Sequence, residues 1–252
     1  MARLARSIAR LSTESAFEVL VKARAVEATG KQVIHLEIGE PDFPTPAHIS
    51  EAGIEALQSG ATHYTPPAGI PELREAIAED AGRRRAISVR PSEVVVTPGA
   101  KPIMFFGLLA VVEPGDEVIY PDPGFPIYQS VISYIGARPV PIALREPTGF
   151  SFDLDQLRAS VSDRTRLIIL NSPQNPTGGV LAKGALEAIA ELAQRHDCWI
   201  LSDEIYSRLL YDGEHASVAA LPGMRERTII LDGFSKTYAM TGWRLGYGIM
   251  PE

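Results

Sequence analysis

Cysteine is almost missing from this chain: its 252 residues contain one, Cys198. A single thiol makes no internal disulfide and no cysteine-rich metal site. Within the run Cys198-Trp199-Ile200-Leu201 it is expected as a buried strand thiol. Lysine is scarce too, five against 19 arginines, so few lysines compete for a special chemical role. No apolar run approaches the ~20 residues of a membrane span. The longest, over 103–112, suits a buried helix. The opening MARLARSIAR has arginines but neither an apolar core nor a small-residue cleavage site, so no secretory leader and a cytoplasmic location are expected. Net charge is −7 with scattered basic residues, which argues against nucleic acid as a partner. The densest basic stretch, Arg83-Arg84-Arg85, is expected as a solvated helix end. Phosphate-loop, His-Glu-x-x-His and Gly-x-Ser-x-Gly motifs are lacking, and the five histidines have no ligand spacing, so no metal is expected. What is present is an ordinary globular composition, 45% hydrophobic and 22% charged, which excludes disorder.

Periodicity organises the chain. The first 30 residues read as helix, with Ala16, Val19, Leu20, Ala23 and Val26 on one face and Gly30 as the stop. A short strand is expected over 33–38, then helices over 46–58 and 71–84. From Glu93 onward strands and helices alternate. Strands are expected near 94–96, 117–120, 139–144, 167–170, 199–201, 228–231 and 245–250. Helices are expected over 99–112, 127–135, 155–161 and 185–196. Several strands are continuous apolar runs, the pattern of strands buried on both faces. The fold class is therefore α/β, a three-layer sandwich around a seven-stranded, mostly parallel sheet. Right-handed crossovers gather the carboxyl ends of parallel strands on one edge, where ligands bind in such sheets.

The residues after the strands are chemically rich. Thr97-Pro98-Gly99-Ala100-Lys101 comes after the first sheet strand and enters a helix, whose N-terminus suits a phosphate. Asn171-Ser172-Pro173-Gln174-Asn175, Ser202-Asp203-Glu204-Ile205-Tyr206 and Asp232-Gly233-Phe234-Ser235-Lys236 come after later strands, with Arg244 close behind. An amide, a carboxylate, a lysine and a guanidinium could thus converge on one edge. A lysine can attack a carbonyl, and a guanidinium fork grips a phosphate. A ligand carrying an aldehyde, a phosphate and a basic atom for the carboxylate would use all of them, and pyridoxal phosphate has all three.

These motifs resemble the class I aminotransferases among the fold-type I pyridoxal-phosphate enzymes. The likeness rests on Asn175-Pro176-Thr177-Gly178, Ser202-Asp203-Glu204-Ile205-Tyr206 and the stretch from Ser235-Lys236-Thr237-Tyr238 to Arg244-Leu245-Gly246-Tyr247. Ile38-Gly39-Glu40-Pro41-Asp42-Phe43 and Tyr64-Thr65-Pro66-Pro67-Ala68-Gly69 add to it, in family order along the whole chain. The resemblance implies that Lys236 carries the cofactor as an aldimine and shuttles the proton, while Asp203 pairs with the pyridine nitrogen. It implies Tyr206 and Asn175 as partners of the phenolic oxygen. Ser235, Arg244 and the backbone at Gly99, Ala100 and Lys101 would hold the phosphate, with Phe125 stacked on the ring. Gly39 and Asn175 would contact the substrate. Tyr64 would reach the phosphate of a neighbouring subunit, which implies a homodimer. The implied function moves an amino group from an amino acid to a 2-oxo acid.

The same ring contacts serve other reactions on amino acids, so a C–S lyase, a decarboxylase, a synthase or a non-catalytic cofactor-binding fragment stays open. The expected division is an N-terminal arm with part of a small domain over 1–45 and a cofactor-binding large domain over 46–252. Family members continue beyond the position matching Glu252 into a small domain that holds the substrate carboxylate. A chain lacking that domain is expected to be weakly active or inactive alone, and poorly stable. Gly233 stands where some members have a hydroxyl, at a cost of one phosphate contact at most. Glu204 is expected to be structural.

Overall fold

The computed structural model describes residues 3–12 and 15–252. The helix expected over the first 30 residues appears as a 3-10 turn, Arg6–Arg10, and α1, Ser15–Glu27; positions 1–2 and 13–14 of that expectation lie outside the described residues. Next come α2 (Ala47–Gln58), α3 (Pro71–Arg85), β1 (Val94–Thr97) and α4 (Lys101–Val111). After these come β2 (Glu117–Asp122), α5 (Ile127–Ile135), β3 (Arg138–Ala143), α6 (Leu154–Ser160) and β4 (Thr165–Asn171). The rest is α7 (Lys183–Arg195), β5 (Trp199–Asp203), β6 (Thr228–Gly233) and β7 (Gly246–Ile249).

The seven strands form one sheet in the order β1-β7-β6-β5-β4-β2-β3. β2 to β6 run parallel, and β7 is antiparallel to both β6 and β1. Alternation along β4 shows why its apolar run is continuous. Leu167 and Ile169 pack with Met104, Leu108 and Tyr128 on the α4–α5 face. Ile168 and Leu170 pack with Leu157, Leu186 and Ile189 on the α6–α7 face. Successive strand side chains point to opposite faces, so both faces demand apolar residues. A third cluster seats α3 through Ile77, Ala78 and Ala81 against Val94, Ile230 and Ile249. The expected three-layer α/β sandwich is the fold observed.

The strand expected over 33–38 is absent. Residues 31–36 have no regular structure, and Leu36 is 89% exposed. Alternating apolar residues make a strand only beside a partner ladder, and the sheet's two edges are β1 and β3. The solvated helix end expected at Arg83-Arg84-Arg85 holds at Arg83 and is corrected at Arg85. Arg85 is 4% exposed, and it continues the core-facing stripe Ile77, Ala81 at helical spacing.

This topology makes one edge chemically dense. The carboxyl ends of β1, β2, β4, β5 and β6 and the amino end of β7 all open there.

Candidate active site

Lys236 lies in the turn after β6, half-buried. Its Nζ donates to the Gly39 carbonyl at 2.5 Å and sits 5.9 Å from the centre of the Tyr206 ring. Burial lowers its pKa; Glu40 opposes the shift, and Lys101 and Arg244 add to it. An amine among cations and away from water more readily sheds its proton. The segment bearing Gly39 is laced onto the lysine turn. Thr45 donates to the Ala239 carbonyl at 2.6 Å, Thr241 to Glu40 at 3.0 Å, and the Trp243 indole to Thr45 Oγ1 at 3.1 Å.

Asp203 ends β5 and is buried. The Tyr128 hydroxyl donates to its Oδ2 at 2.6 Å, and the Ile205 N–H to its Oδ1 at 3.3 Å. Burial raises its pKa to about 6, against those two donors. Burial, with the Asp203 charge, pushes the Tyr206 hydroxyl up to about 12. A raised carboxyl pKa means the fold prefers protonated Asp203. That contribution is complete below the ordinary carboxylate pKa of 3.8 and is lost as pH rises through about 6. Asp203→Asn is therefore expected to stabilise the ligand-free chain at pH 7 by on the order of 2–3 kcal/mol, and hardly at all at pH 4. Denaturant unfolding of both proteins at the two pH values checks this.

Asn175 is set by a loop that ties itself down. Its N–H donates to Asn171 Oδ1 at 2.8 Å, while Asn171 Nδ2 reaches the Asp203 carbonyl at 3.2 Å. Gln174 is buried; its Nε2 donates to the Pro123 carbonyl at 2.7 Å, and its Oε1 accepts from Thr177. The loop after β4 is thereby clamped to those after β2 and β5. A cavity of about 480 Å³ opens beside it, lined by Asn175, Tyr206, Leu209 and Tyr211 among others.

Arg244 precedes β7 in a left-handed conformation, φ +56°. Its guanidinium donates to the Thr241 carbonyl at 2.7 Å and lies against Gly99. A Cβ at Gly99 would run into that guanidinium, and a Cβ at Gly246 into the Ala100 N–H. Both positions need glycine for close approach, and Gly99 also has φ +82°. Phe125 lies 5.3 Å from Lys101 Nζ and packs edge-on to Tyr128 at 5.8 Å. Ser235 is half-buried beside Lys236. Thus the structure brings Lys236, Gly39 and Tyr206 together, and separately Gly99, Ala100 and Arg244. Tyr64 stands fully exposed between α2 and α3. Among the described residues no hydrogen bond or ring contact ties it to the others.

Three parts of the edge escape a reading of motifs. Tyr128 looks like one more apolar position of α5. Asn171 and Gln174 look like turn filler. The third is an ionic cluster at the ends of β5 and β6. Arg85 donates to Glu204 and Asp232, each at 2.6 Å. His215, Ser217 and Ser202 reach Glu204 at 3.0, 2.6 and 2.9 Å, and the Tyr247 hydroxyl reaches Asp232 at 3.0 Å. Glu204 is structural, as its sequence context suggests. The spacing of Arg85 from Ile77 and Ala81 is the sequence feature that points to it.

Comparison with known proteins gives consistent relatives. The family described as aminotransferase class I and II matches residues 31–252. An aspartate/prephenate aminotransferase of Thermus thermophilus is 42% identical over all of this chain and 65% of its own length. An aspartate aminotransferase of Pyrococcus abyssi is 47% identical over 90% of this chain and 59% of its own length. A solved structure of Thermus thermophilus aspartate aminotransferase with maleate superposes with a TM-score of 0.96, at 42% identity, over 100% of this chain and 65% of that one. The chain spans about three fifths of the length of these relatives.

Proposed function

The chain belongs to the class I and II aminotransferase family, and from that premise we propose that the protein moves an amino group from an amino acid to a 2-oxo acid with pyridoxal 5′-phosphate. The observation that carries the proposal is the placing of two groups on one sheet edge. Lys236 is a half-buried amine in the turn after β6 whose pKa burial lowers, and Asp203 is a buried carboxyl at the end of β5.

The residues present fit that cofactor. The backbone of Gly99 and Ala100, brought against Arg244 by two glycine-dependent close approaches, makes an anion cradle beside a guanidinium. In this reading Arg244, Ser235 and the 99–101 backbone hold the phosphate. Asp203 faces the ring nitrogen, Tyr206 and Asn175 the phenolic oxygen, and Phe125 a ring face. Bound there, a protonated pyridine ring supplies the electron sink that loss of an amino acid's α-proton requires. Lys236 would bind the cofactor's aldehyde and, as a free amine, would hold or return that proton through Nζ. Gly39, whose carbonyl now accepts from Lys236 Nζ, is the residue whose backbone would contact the substrate carboxylate. Supporting the homodimer in this proposal are the exposed Tyr64 and the exposed apolar residues Ile34, Leu36 and Phe106. Residues 1–45 would then form an N-terminal arm with part of a small domain, and 46–252 the cofactor-binding large domain. A cytoplasmic location is part of the proposal; no helix among the described residues is long and apolar enough to cross a membrane.

The test is to add pyridoxal phosphate to the purified chain, record the visible spectrum, reduce with borohydride and map the peptides. Cofactor fixed on the peptide bearing Lys236, with at most weak amino transfer to a 2-oxo acid by this chain alone, is the expected result. A folded chain that retains no cofactor would overturn the reading.

A further inference from the structure

Tyr128 is the second residue of α5, just beyond the turn that carries Phe125. Its side chain is fully buried and among the largest so enclosed. A phenol removed from water must place its proton on an acceptor, since an unpaired buried hydroxyl costs about 1–3 kcal/mol. The acceptor here is Asp203, 75 residues away, at 2.6 Å. A short bond from a neutral donor to a carboxylate is among the stronger kinds in proteins. It occupies Oδ2 and leaves Oδ1 with one long bond from the Ile205 N–H and acceptor capacity to spare.

The other groups around Asp203 work against its charge. Glu204 is next to it in the chain and Asp232 lies on the neighbouring strand, and both disfavour a further carboxylate. Arg85 neutralises those two by direct contact and does not touch Asp203. The Tyr206 hydroxyl is a further titratable neighbour, and burial together with the Asp203 charge pushes its pKa up. Tyr128 and one backbone N–H are therefore the only donors holding Asp203 ionised among the described residues.

We propose that Tyr128 is a positioning residue of the cofactor site, fixing the rotation of the Asp203 carboxylate and keeping it ionised so that Oδ1 is presented to the cofactor's ring nitrogen. The proposal rests on the pyridoxal-phosphate reading above. A plain core tyrosine would fill the same space, but its hydroxyl would not control the neighbouring carboxyl.

The experiment compares wild type, Tyr128→Phe, Asp203→Asn and the double variant. In the ligand-free proteins, carbon NMR of labelled aspartate tracks the Asp203 titration. Tyr128→Phe is expected to move it upward by about one pH unit, the worth of one hydrogen bond to a charged group. Cofactor affinity, read by spectroscopic titration, is expected to fall about tenfold in Tyr128→Phe. The same change in the Asp203→Asn background is expected to have no further effect, because the coupled partner is gone. Should Tyr128→Phe not fold, a fluorinated tyrosine incorporated at 128 keeps the shape and strengthens the donor, and the Asp203 titration is then expected to move downward. An Asp203 titration unmoved by either variant would overturn the proposal, as would equal losses of affinity with and without Asp203. Failure of the wild type to retain cofactor after borohydride would overturn the parent reading instead, while the ligand-free titration still decides whether Tyr128 governs Asp203.

Discussion

Lys236→Ala is expected to abolish covalent retention of cofactor after borohydride and to lower amino transfer by at least about 10²–10⁴-fold, the range associated with losing a positioned proton carrier. In the proposed function two tasks fall to the one Nζ, bonding the aldehyde and carrying the α-proton, so the loss should exceed that of a binding residue. Lys101 is on the same edge, but it lies over Phe125, whereas Lys236 lies over Tyr206 and under the Gly39 carbonyl. Mass spectrometry of the reduced protein and single-turnover kinetics check the two halves. Retained cofactor on another lysine, with turnover preserved, would show that the site is organised around a different amine.

The second large effect concerns stability. Arg85→Ala is expected to cost about 3–5 kcal/mol, because removing one partner strands buried charge. Both side chains in the Arg85–Glu204 pair are 1% exposed, and Asp232 depends on the same guanidinium. Arg84, at 3.4 Å from Asp232, offers only a weak replacement. The cluster also has a pH signature. Although burial works against it, Arg85 together with His215 and Ser217 holds Glu204 well below its ordinary value of 4.5. That stabilisation is complete above about pH 4.5 and is lost as pH falls below it. The acid limb of the stability curve should therefore flatten in Arg85→Ala. Urea unfolding between pH 3 and 8 measures both effects; a loss under about 1 kcal/mol would mean that the cluster is solvated in solution.

Most of the fold is legible in one dimension. β4, β5 and β6 announce themselves because each is apolar on consecutive residues, and only a strand covered on both faces requires that. Their loops are legible for a related reason. Parallel strands joined by crossover helices must deliver the loop after each strand to one edge, so Asn175, Asp203 and Lys236 converge by topology. The segment over 33–38 shows the limit. Its alternation matches a strand, but strand formation needs a neighbouring ladder, and which edge is vacant is a property of the assembled sheet.

The site divides along the same line. Lys236, Asp203, Tyr206, Asn175 and Arg244 stand out because each carries chemistry at a strand end. Tyr128 and Gln174 do not, because an aromatic on an apolar helix and an amide in a turn look alike whether or not they govern a neighbour. Arg85 lies within a triplet of identical residues, and only its register with Ile77 and Ala81 separates it from Arg83, which stays at the surface. Hydrophobic periodicity acts over a few residues and can be read along the chain. The hydrogen-bond and ion-pair partners that tune Asp203 and Glu204 lie 75 and 119 positions away. Packing of α5 and α3 onto the sheet brought them within 3 Å, and burial made their pairing obligatory.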